Sequence, residues 1–339
     1  MIEPIRVLVN GRATKSCDGR LVAVDDLVIQ TTRDFFQNRL PELTGWVKID
    51  LNVTSNPSPG VVNVDGPSET DLTRWFAPKS ATEMPERRVV LSNDTSFGTG
   101  WAPQHPFERF ARRLADHLSM PTGAAARYPW CGSDVKVMGY AQPEGTDIVL
   151  CVPQKSRHVA SRADYLANCS KVLQICETLS AEDLPGLPIN FRLNARDVPE
   201  RDELYLTFTG SAIETGDEGA VGRGNRVTGL ITPLRPMNME GVSGKNPVYN
   251  VGKLYNLAAQ RLAERLHKLT AGYAEAHFVS ATGQRLDRPW RVVIRLASSD
   301  CSIDDVMSLL AQSLGKFPAL TQELIQADLT LSSITEVKP

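Results

Sequence analysis

The chain has 339 residues, of which 42% are hydrophobic and 22% are charged, and its formal net charge is −2. This composition is typical of a globular protein with two or three domains. The small net charge excludes the broad positive field of a non-specific nucleic-acid binder. No apolar run approaches the roughly 18 residues of a membrane span, and the N-terminal sequence lacks a signal-peptide pattern. We therefore expect no membrane span and no nucleic-acid partner.

Short runs rich in Val, Ile and Leu, bounded by Gly, Pro, Asn or Asp, predict β-strands. In chain order the predicted strands are 5–9, 47–53, 89–91, 135–139, 147–152, 189–193, 204–209 and 291–297. Most of them alternate apolar and polar residues, which indicates sheets with one covered face and one exposed face. The stretch 52–70 contains Asn-Pro-Ser-Pro-Gly and predicts a long loop.

Apolar residues at helical spacing predict the helices, whose apolar faces we expect to form core. In chain order the predicted helices are 106–118, 161–179, 253–269 and 302–314. The sequence of strands and helices predicts an α+β fold of repeated units, each a sheet with helices on one face. We expect interleaved units of 1–120, 121–200 and 201–339, with soft boundaries near 121–128 and 195–202.

The cysteines and histidines show no metal-site spacing. Six cysteines form no Cys-x-x-Cys pair, and those at 169 and 176 lie two helical turns apart, so we expect them to pack rather than to bind zinc. Five histidines are scattered at 105, 117, 158, 267 and 277. Cysteines without a disulfide or zinc pattern are typical of a reduced, cytoplasmic protein.

The stretch 209–256 is rich in glycine and in cations. Glycines permit unusual backbone conformations and close approach to a ligand, and the cations predict an anionic ligand, most simply a polyphosphate. Two common phosphate loops are excluded, because 222–227 lacks the third glycine of a dinucleotide fingerprint and 244–246 lacks the Walker spacing. The cations of the stretch are Arg223, Arg226, Arg235, Lys245 and Lys253.

Asp94 lies in the sequence Ser-Asn-Asp-Thr-Ser-Phe-Gly, after a predicted strand. One interpretation is a local turn built on the Asp side chain. The other is a polar contact with a nucleoside or with an amino-acid ammonium group, with Phe97 or Trp101 stacked on a base.

Two further acidic positions have two interpretations each. Asp134 and Lys136 share one face of a predicted strand; they are either a solvated face, or a carboxylate for an ammonium group beside a lysine for a phosphate. Asp217 and Glu218 either form a capped turn or hold a magnesium ion or a substrate amine.

These motifs occur in a fixed order along the whole chain. In chain order they are Gly-Arg-Ala-Thr at 11–14, Asn-Asp-Thr-Ser-Phe-Gly at 93–98, Asp-Val-Lys-Val-Met-Gly at 134–139, Gly-Asp-Glu-Gly at 216–219, Val-Gly-Arg-Gly-Asn-Arg at 221–226, Gly-Leu-Ile-Thr-Pro at 229–233, Arg-Pro-Met at 235–237, Gly-Lys-Asn-Pro at 244–247 and Val-Gly-Lys-Leu-Tyr-Asn at 251–256. Together they resemble the archaeal-type S-adenosylmethionine synthetases.

The resemblance implies a fold and an activity. The fold is a synthetase-like α+β arrangement of sheet-plus-helix units with pseudo-threefold symmetry, whose first unit is incomplete here. The activity joins ATP and methionine: the methionine sulfur attacks the ribose C5′ and expels triphosphate, which is then cleaved to pyrophosphate and phosphate. The implied cofactors are Mg²⁺ and K⁺, whose ligands the sequence does not identify.

The resemblance also implies site residues. Lys136, Arg223 and Lys245 would clamp the phosphates, Asp217 would lie in the ATP and methionine site, and Asp94 would reach the site from a neighbouring subunit. The further implied ATP or substrate contacts are Thr95, Ser96, Phe97, Asp134, Arg226, Arg235 and Lys253.

The sequence departs from the family pattern at three places. Family members carry an N-terminal Gly-x-Gly-His-Pro-Asp segment, whereas this sequence contains no His-Pro-Asp and resembles the part that follows that segment. Asn250 replaces the usual histidine, and Lys-Ser-Arg-His at 155–158 replaces Val-Asp-Arg-Tyr. We therefore expect a second protein chain to supply the missing segment. The alternatives are an independent nucleotide-using enzyme with altered chemistry and a non-catalytic regulatory or scaffold homologue.

Overall fold

The structure of the protein is a computed structural model. The residues that the structure describes are 4–13, 16–17, 20–54, 92–143, 145–212, 226–232, 234–238, 240–242, 245, 247, 249–297 and 300–326. Packing groups the chain into two compact units, each assembled from separated stretches. The first unit comprises Met1–Val9, Val28–Leu51 and Gln104–Ala220, and the second comprises Asn10–Leu27, Asn52–Pro103 and Val221–Pro339. The three-unit division expected from the sequence stays a prediction.

Strands and helices alternate along the described part of the chain, so the α+β class is confirmed. The strands are β1 (Ile5–Arg12), β2 (Ser16–Cys17), β3 (Arg20–Leu21), β4 (Val47–Thr54), β5 (Phe97–Ala102), β6 (Lys136–Gln142), β7 (Gly145–Cys151), β8 (Gln154–Lys155), β9 (Ile189–Leu193), β10 (Leu206–Thr207), β11 (Ala274–Val279) and β12 (Arg291–Leu296). The α-helices are α1 (Val24–Arg39), α2 (Pro106–Ser119), α3 (Ala124–Arg127), α4 (Arg162–Asp183), α5 (Val251–Thr270), α6 (Ile303–Leu314) and α7 (Phe317–Gln326).

The four predicted helices are confirmed as α2, α4, α5 and α6, but other elements were not predicted. Helix α1 has a weak apolar stripe, because only Val24 and Phe36 among its hydrophobic residues are buried. Strand β5 contains two glycines, which disfavour strand prediction. The predicted strand 204–209 is only two residues long, and the predicted strand 89–91 lies outside the described residues. Strand β11 and helix α7 were also missed.

The first unit contains the three-stranded sheet β6-β7-β9, in which β6 and β7 are antiparallel and β7 and β9 are parallel. Alternate residues of β7, including Ile148 and Leu150, are buried in a core with Phe110 and Leu114 of α2. The remaining alternate residues face away from that core, as the strand pattern predicted. The open face carries Lys136, the predicted phosphate ligand.

Burial also explains the cysteines of this unit. Cys176 of α4 is buried in the same core, where burial raises the pKa of its thiol to about 12. Cys169 of the same helix is partly buried, and its Sγ accepts a hydrogen bond from the side-chain nitrogen of Gln154 at 3.4 Å. The expected packing role of Cys176 is thereby confirmed, and its thiol is unreactive at neutral pH.

The second unit contains the antiparallel sheet β12-β11-β5, and α5 packs directly against β5. The contact is between backbones: a Cβ atom at Gly98 would lie 2.2 Å from the carbonyl carbon of Tyr255, and one at Gly100 would lie 2.2 Å from that of Ala259. The two glycines therefore let the helix axis approach the strand closely. Helices α6 and α7 complete the core on α5 through Leu310, Phe317 and Leu320.

We expect Gly100→Ala to destabilise the protein by about 3 kcal/mol or more, because neither backbone can move aside for the added methyl group. Thermal and urea denaturation followed by circular dichroism measures this change. Gly11→Ala is the matched control, since a Cβ there would meet nothing within 4 Å. Equal stability of the two variants would contradict the backbone contact.

Candidate active site

The Asn93–Phe97 loop is fixed by hydroxyl groups from the end of β11. Ser280 donates from Oγ to the carbonyl oxygen of Asp94 at 2.8 Å, and the backbone nitrogen of Ser96 donates to Ser280 Oγ at 3.2 Å. The hydroxyl groups of Thr95 and Thr282 lie 3.1 Å apart. The Asp94 side chain is exposed, and its Oδ1 accepts a hydrogen bond from the backbone nitrogen of Thr95 at 2.7 Å. The predicted site residues at positions 94–97 thus form an ordered turn that leads into β5.

Two asparagine side chains cap the first turn of α5. Asn250 Oδ1 accepts from the backbone nitrogen of Lys253 at 3.0 Å, and Asn93 Oδ1 accepts from that of Val251 at 3.0 Å. The first N–H groups of a helix have no partner within the helix, so side-chain acceptors stabilise its start. Asn250, which replaces the family histidine, is therefore a helix cap in this chain.

We expect Asn250→Ala to lower the free energy of unfolding by about 1 kcal/mol, because the Lys253 amide loses its acceptor. Asn250→Ser should retain most of the stability, since a serine hydroxyl caps equally well. Urea denaturation of the three proteins decides the point. If the Ala and Ser variants lose the same stability, the side chain of Asn250 is not the cap.

Lys245 contacts one carboxylate and is within the electrostatic influence of a second. Its Nζ contacts Glu240 Oε2, and Glu240 Oε1 accepts a hydrogen bond from Ser96 Oγ at 3.3 Å. Partial burial lowers the pKa of Lys245, and the negative charge of Asp94 opposes that shift. Positions 94–96 and 245 are far apart in sequence, so the fold has brought these predicted residues together. Glu240 was not predicted, because a single carboxylate in a loop gives no periodic signal.

The other predicted cations of the second unit have different surroundings. Lys253 donates from Nζ to the carbonyl oxygen of Val242 at 2.6 Å, and burial lowers its pKa. The guanidinium carbon of Arg235 lies 4.7 Å from the centre of the Trp101 ring, a cation–π contact. Trp101 is buried, whereas Phe97 is 43% exposed, so Phe97 is the one of these two aromatic side chains that a base could reach.

Arg226 lines a small cleft in the second unit, together with Thr99, Trp101 and Met237. Asn256 also lines the cleft, and its Oδ1 accepts from the backbone nitrogen of Thr99 at 2.9 Å. The α5 side chains thus bind the free edge of β5 and shape the wall of the cleft. Asn256 belongs to the Val-Gly-Lys-Leu-Tyr-Asn motif, but its contact with Thr99 could not be predicted from that motif.

Asp134 connects two predicted features of the first unit. Its Oδ1 lies 3.2 Å from Lys136 Nζ, and its Oδ2 accepts a hydrogen bond from the backbone nitrogen of Ala212 at 3.0 Å. Partial burial lowers the pKa of Lys136, but the charge and hydrogen bond of Asp134 outweigh it, so the pKa lies above its usual value. Lys136 therefore stays protonated at neutral pH. Asp134 holds it next to Ala212, the last described residue before the 213–225 segment.

The remaining predicted residues and groups are of two kinds, those outside the described residues and those with a described position. Asp217, Glu218 and Arg223 lie outside the described residues. Among the described residues no group of three His, Cys, Asp or Glu side chains is arranged to hold a metal ion. His105, the one histidine followed by proline, caps α2: its Nδ1 accepts from the backbone nitrogen of Phe107 at 3.3 Å. In the described part of the chain, no helix is long and apolar enough to cross a membrane.

The described geometry defines a class of site. A lysine paired with a carboxylate that also contacts Ser96, in a turn whose next residue is the exposed Phe97, suits a phosphorylated ligand with a ring to stack. The sequence profile of the S-adenosylmethionine synthetase (AdoMet synthetase) family matches residues 1–328. The chain belongs to this family.

Relatives and a solved structure agree with this assignment. The chain is 32% identical over 337 residues to the S-adenosylmethionine synthase of Methanospirillum hungatei, which covers 97% of this chain and 79% of the relative. It is 35% identical over 292 residues to the S-adenosylmethionine synthase of Pyrococcus furiosus. This alignment covers 85% of this chain and 68% of the relative. An unusual S-adenosylmethionine synthetase from Campylobacter jejuni has a similar fold, with a TM-score of 0.59 at 12% identity over 98% of this chain and 82% of that one.

Proposed function

We propose that this chain is a subunit of an S-adenosylmethionine synthetase, a transferase that makes S-adenosylmethionine from ATP and methionine. The observation that carries the proposal is the cluster of Lys245, Asp94 and Ser96 at the start of α5, because it lies within motifs of a family whose named relatives make this product. A cation that is already in the site can stabilise the negative charge that develops on a leaving group.

The proposed reaction has two steps. First, the sulfur of methionine forms a bond to the ribose C5′ while the bond between C5′ and oxygen breaks, giving a sulfonium product and triphosphate. Second, water cleaves the triphosphate to pyrophosphate and phosphate. Negative charge grows on the departing oxygen in the first step, so the phosphate cations must be in position beforehand.

Each predicted residue has a role in this proposal. Lys245 and Lys136 bind phosphate oxygens, together with Arg223, and Asp217 contacts the substrates. Asp94 contributes a carboxylate from the ordered turn at 93–97. Thr95, Ser96 and Phe97 form the wall of the nucleotide site, where Phe97 supplies an exposed ring. Further substrate contacts are proposed at Asp134, Arg226, Arg235 and Lys253.

The proposal includes Mg²⁺ and K⁺. Magnesium at a triphosphate site needs only one or two protein carboxylates, because phosphate oxygens and water fill the remaining positions. The exposed carboxylate of Asp94 fits that requirement, whereas Glu240 is already bound to Lys245. Bound magnesium would neutralise charge on the triphosphate. For K⁺ the described residues indicate no ligands, and it stays a prediction.

A second protein chain is also part of the proposal. The 339 residues contain no His-Pro-Asp sequence. Four of the five histidines have described contacts with residues that are not members of the Lys245 cluster: His105 caps α2, His158 contacts Arg157, His267 contacts the carbonyl of Gly272, and His277 contacts Glu275. A histidine for the reacting nucleotide would then come from the partner, as the family resemblance implies.

Purification of the tagged chain from its native source, followed by an assay with ATP, methionine, Mg²⁺ and K⁺, tests both parts. We expect a co-purifying chain with a Gly-His-Pro-Asp motif and formation of S-adenosylmethionine only when both chains are present. Activity of this chain alone would reject the partner requirement. Absence of the sulfonium product from the intact complex would reject the synthetase function and favour a regulatory or scaffold role.

A further inference from the structure

Glu240 is fixed on several sides. Its backbone nitrogen donates to Asn238 Oδ1 at 2.9 Å, and its carbonyl oxygen accepts from Asn256 Nδ2 at 3.4 Å. Its side chain lies over Gly252, where a Cβ atom would come within 2.6 Å of Glu240 Oε2. Ser96 Oγ donates to the other carboxylate oxygen at 3.3 Å. The position of the carboxylate is therefore set by the surrounding structure.

The anchor of Glu240 is itself buried and fully engaged. Asn238 and Asn256 are 7% and 5% exposed, and Asn238 Nδ2 donates to Asn256 Oδ1 at 2.7 Å. Asn256 Nδ2 also donates to the carbonyl oxygen of Gly252 at 2.6 Å, within α5. Lys245, in contrast, reaches Glu240 through a flexible four-carbon side chain. Of the two ion-pair partners, Glu240 is the fixed one and Lys245 is the one able to change partner.

A phosphate that binds Lys245 must compete with this carboxylate. The pair is partly exposed, with side-chain exposures of 30% for Lys245 and 28% for Glu240, so its net stabilisation is small and a phosphate oxygen can replace it. We propose that Glu240 is a placeholder anion: it holds the Lys245 ammonium before nucleotide binds and gives it up to a triphosphate oxygen. This inference rests on the proposed function, in which Lys245 binds phosphate.

The placeholder has two consequences for the reaction. Before binding, it keeps the Lys245 ammonium next to Ser96 and Asp94 instead of in solvent, so the cation is already in the site. After triphosphate is cleaved, each product carries less charge than triphosphate, and Glu240 competes more effectively for Lys245. The fixed carboxylate thereby weakens phosphate binding throughout and favours product release.

Titration calorimetry of the 339-residue chain with inorganic triphosphate tests the placeholder. Glu240→Gln removes the competing charge with little change in shape, and we expect triphosphate to bind about threefold to tenfold more tightly. Lys245→Ala should weaken binding, and Glu240→Gln added to Lys245→Ala should give no gain. Glu323→Gln is the matched control, because Glu323 forms a comparable ion pair with Arg261 between α7 and α5; its affinity should stay at the wild-type value.

The direction of the change in triphosphate affinity distinguishes a placeholder role of Glu240 from a structural role. A structural role predicts weaker triphosphate binding in Glu240→Gln, and weaker or unchanged binding would overturn the placeholder. If the Gln variant does not fold, Glu240→Asp withdraws the carboxylate by one methylene and should show a smaller gain, with no gain counting against the proposal. If Lys245→Ala binds triphosphate as well as the wild type, the phosphate role of Lys245 fails and the placeholder fails with it. If Lys245→Ala weakens binding but Glu240→Gln does not tighten it, only the placeholder is rejected.

Discussion

Lys245→Ala is expected to lower the rate of S-adenosylmethionine formation by at least about 100-fold, because the departing triphosphate loses a preorganised cation. The folded structure should survive, since Lys245 takes part in one partly exposed ion pair and such pairs contribute little to stability. The loss should appear mainly in kcat, because charge on the departing oxygen develops during the reaction and is smaller in the bound substrate.

Single-turnover measurements on the assembled enzyme give the rate of sulfonium formation directly. Lys171→Ala is the control, because Lys171 lies exposed on α4 and its Nζ donates to Gln174 at 3.4 Å. Lys245→Arg keeps the charge but alters its shape and should recover part of the rate. Wild-type turnover in Lys245→Ala would show that this cation does not stabilise the leaving group.

Lys136→Met is expected to reduce the same rate by about tenfold to 100-fold, as the loss of a second phosphate cation would. Methionine keeps the length of the side chain on the open face of β6, so the sheet should be unaffected. Asp134 would then lose its ion-pair partner but retain the hydrogen bond from the Ala212 amide at 3.0 Å. The effect should therefore come from lost charge and not from a displaced segment after Ala212.

Arg192→Met tests whether the loss of any cation from this sheet face lowers the rate of S-adenosylmethionine formation. Arg192 of β9 pairs in register with Val149, and Lys136 pairs with Cys151, so both side chains lie on the same face. We expect Arg192→Met to retain the wild-type rate in a steady-state assay. Equal losses in the two variants would indicate a general field effect and would contradict a specific role for Lys136.

The helices were predicted accurately from the sequence where buried apolar residues recur at a regular spacing. Helices α2 and α4 each bury one face, so their apolar residues recur at helical spacing. Helix α5 is buried on nearly all sides over residues 254–260, and its leucines still recur at helical spacing. Strand β5 was missed because Gly98 and Gly100, which look unfavourable for a strand, are needed where α5 lies on its backbone. Such a requirement arises from an element more than 100 residues away and leaves no local pattern.

The site was predictable only as a set of residues. Motif resemblance predicted roles for Asp94, Lys136 and Lys245, which stay predictions. It did not predict the contacts of Glu240 with Ser96 or of Asp134 with Ala212, because each of these contacts joins segments that are distant in sequence. Glu240 contacts Lys245, and Asn256 accepts a hydrogen bond from Thr99 of β5. Neither contact could be predicted from the sequence pattern. The segment holding Asp217 lies outside the described residues, and its role stays a prediction.

The most direct test of the proposed synthetase function is the balance of products that the reaction forms. The proposed complex of this chain with its partner is incubated with ATP and methionine, and S-adenosylmethionine, phosphate, pyrophosphate and AMP are quantified together. We expect equal amounts of S-adenosylmethionine, phosphate and pyrophosphate, no AMP, and formation of all three products at least about 100-fold slower with Lys245→Ala. Cleavage of ATP to AMP, or of ATP to ADP, without a sulfonium product would contradict it.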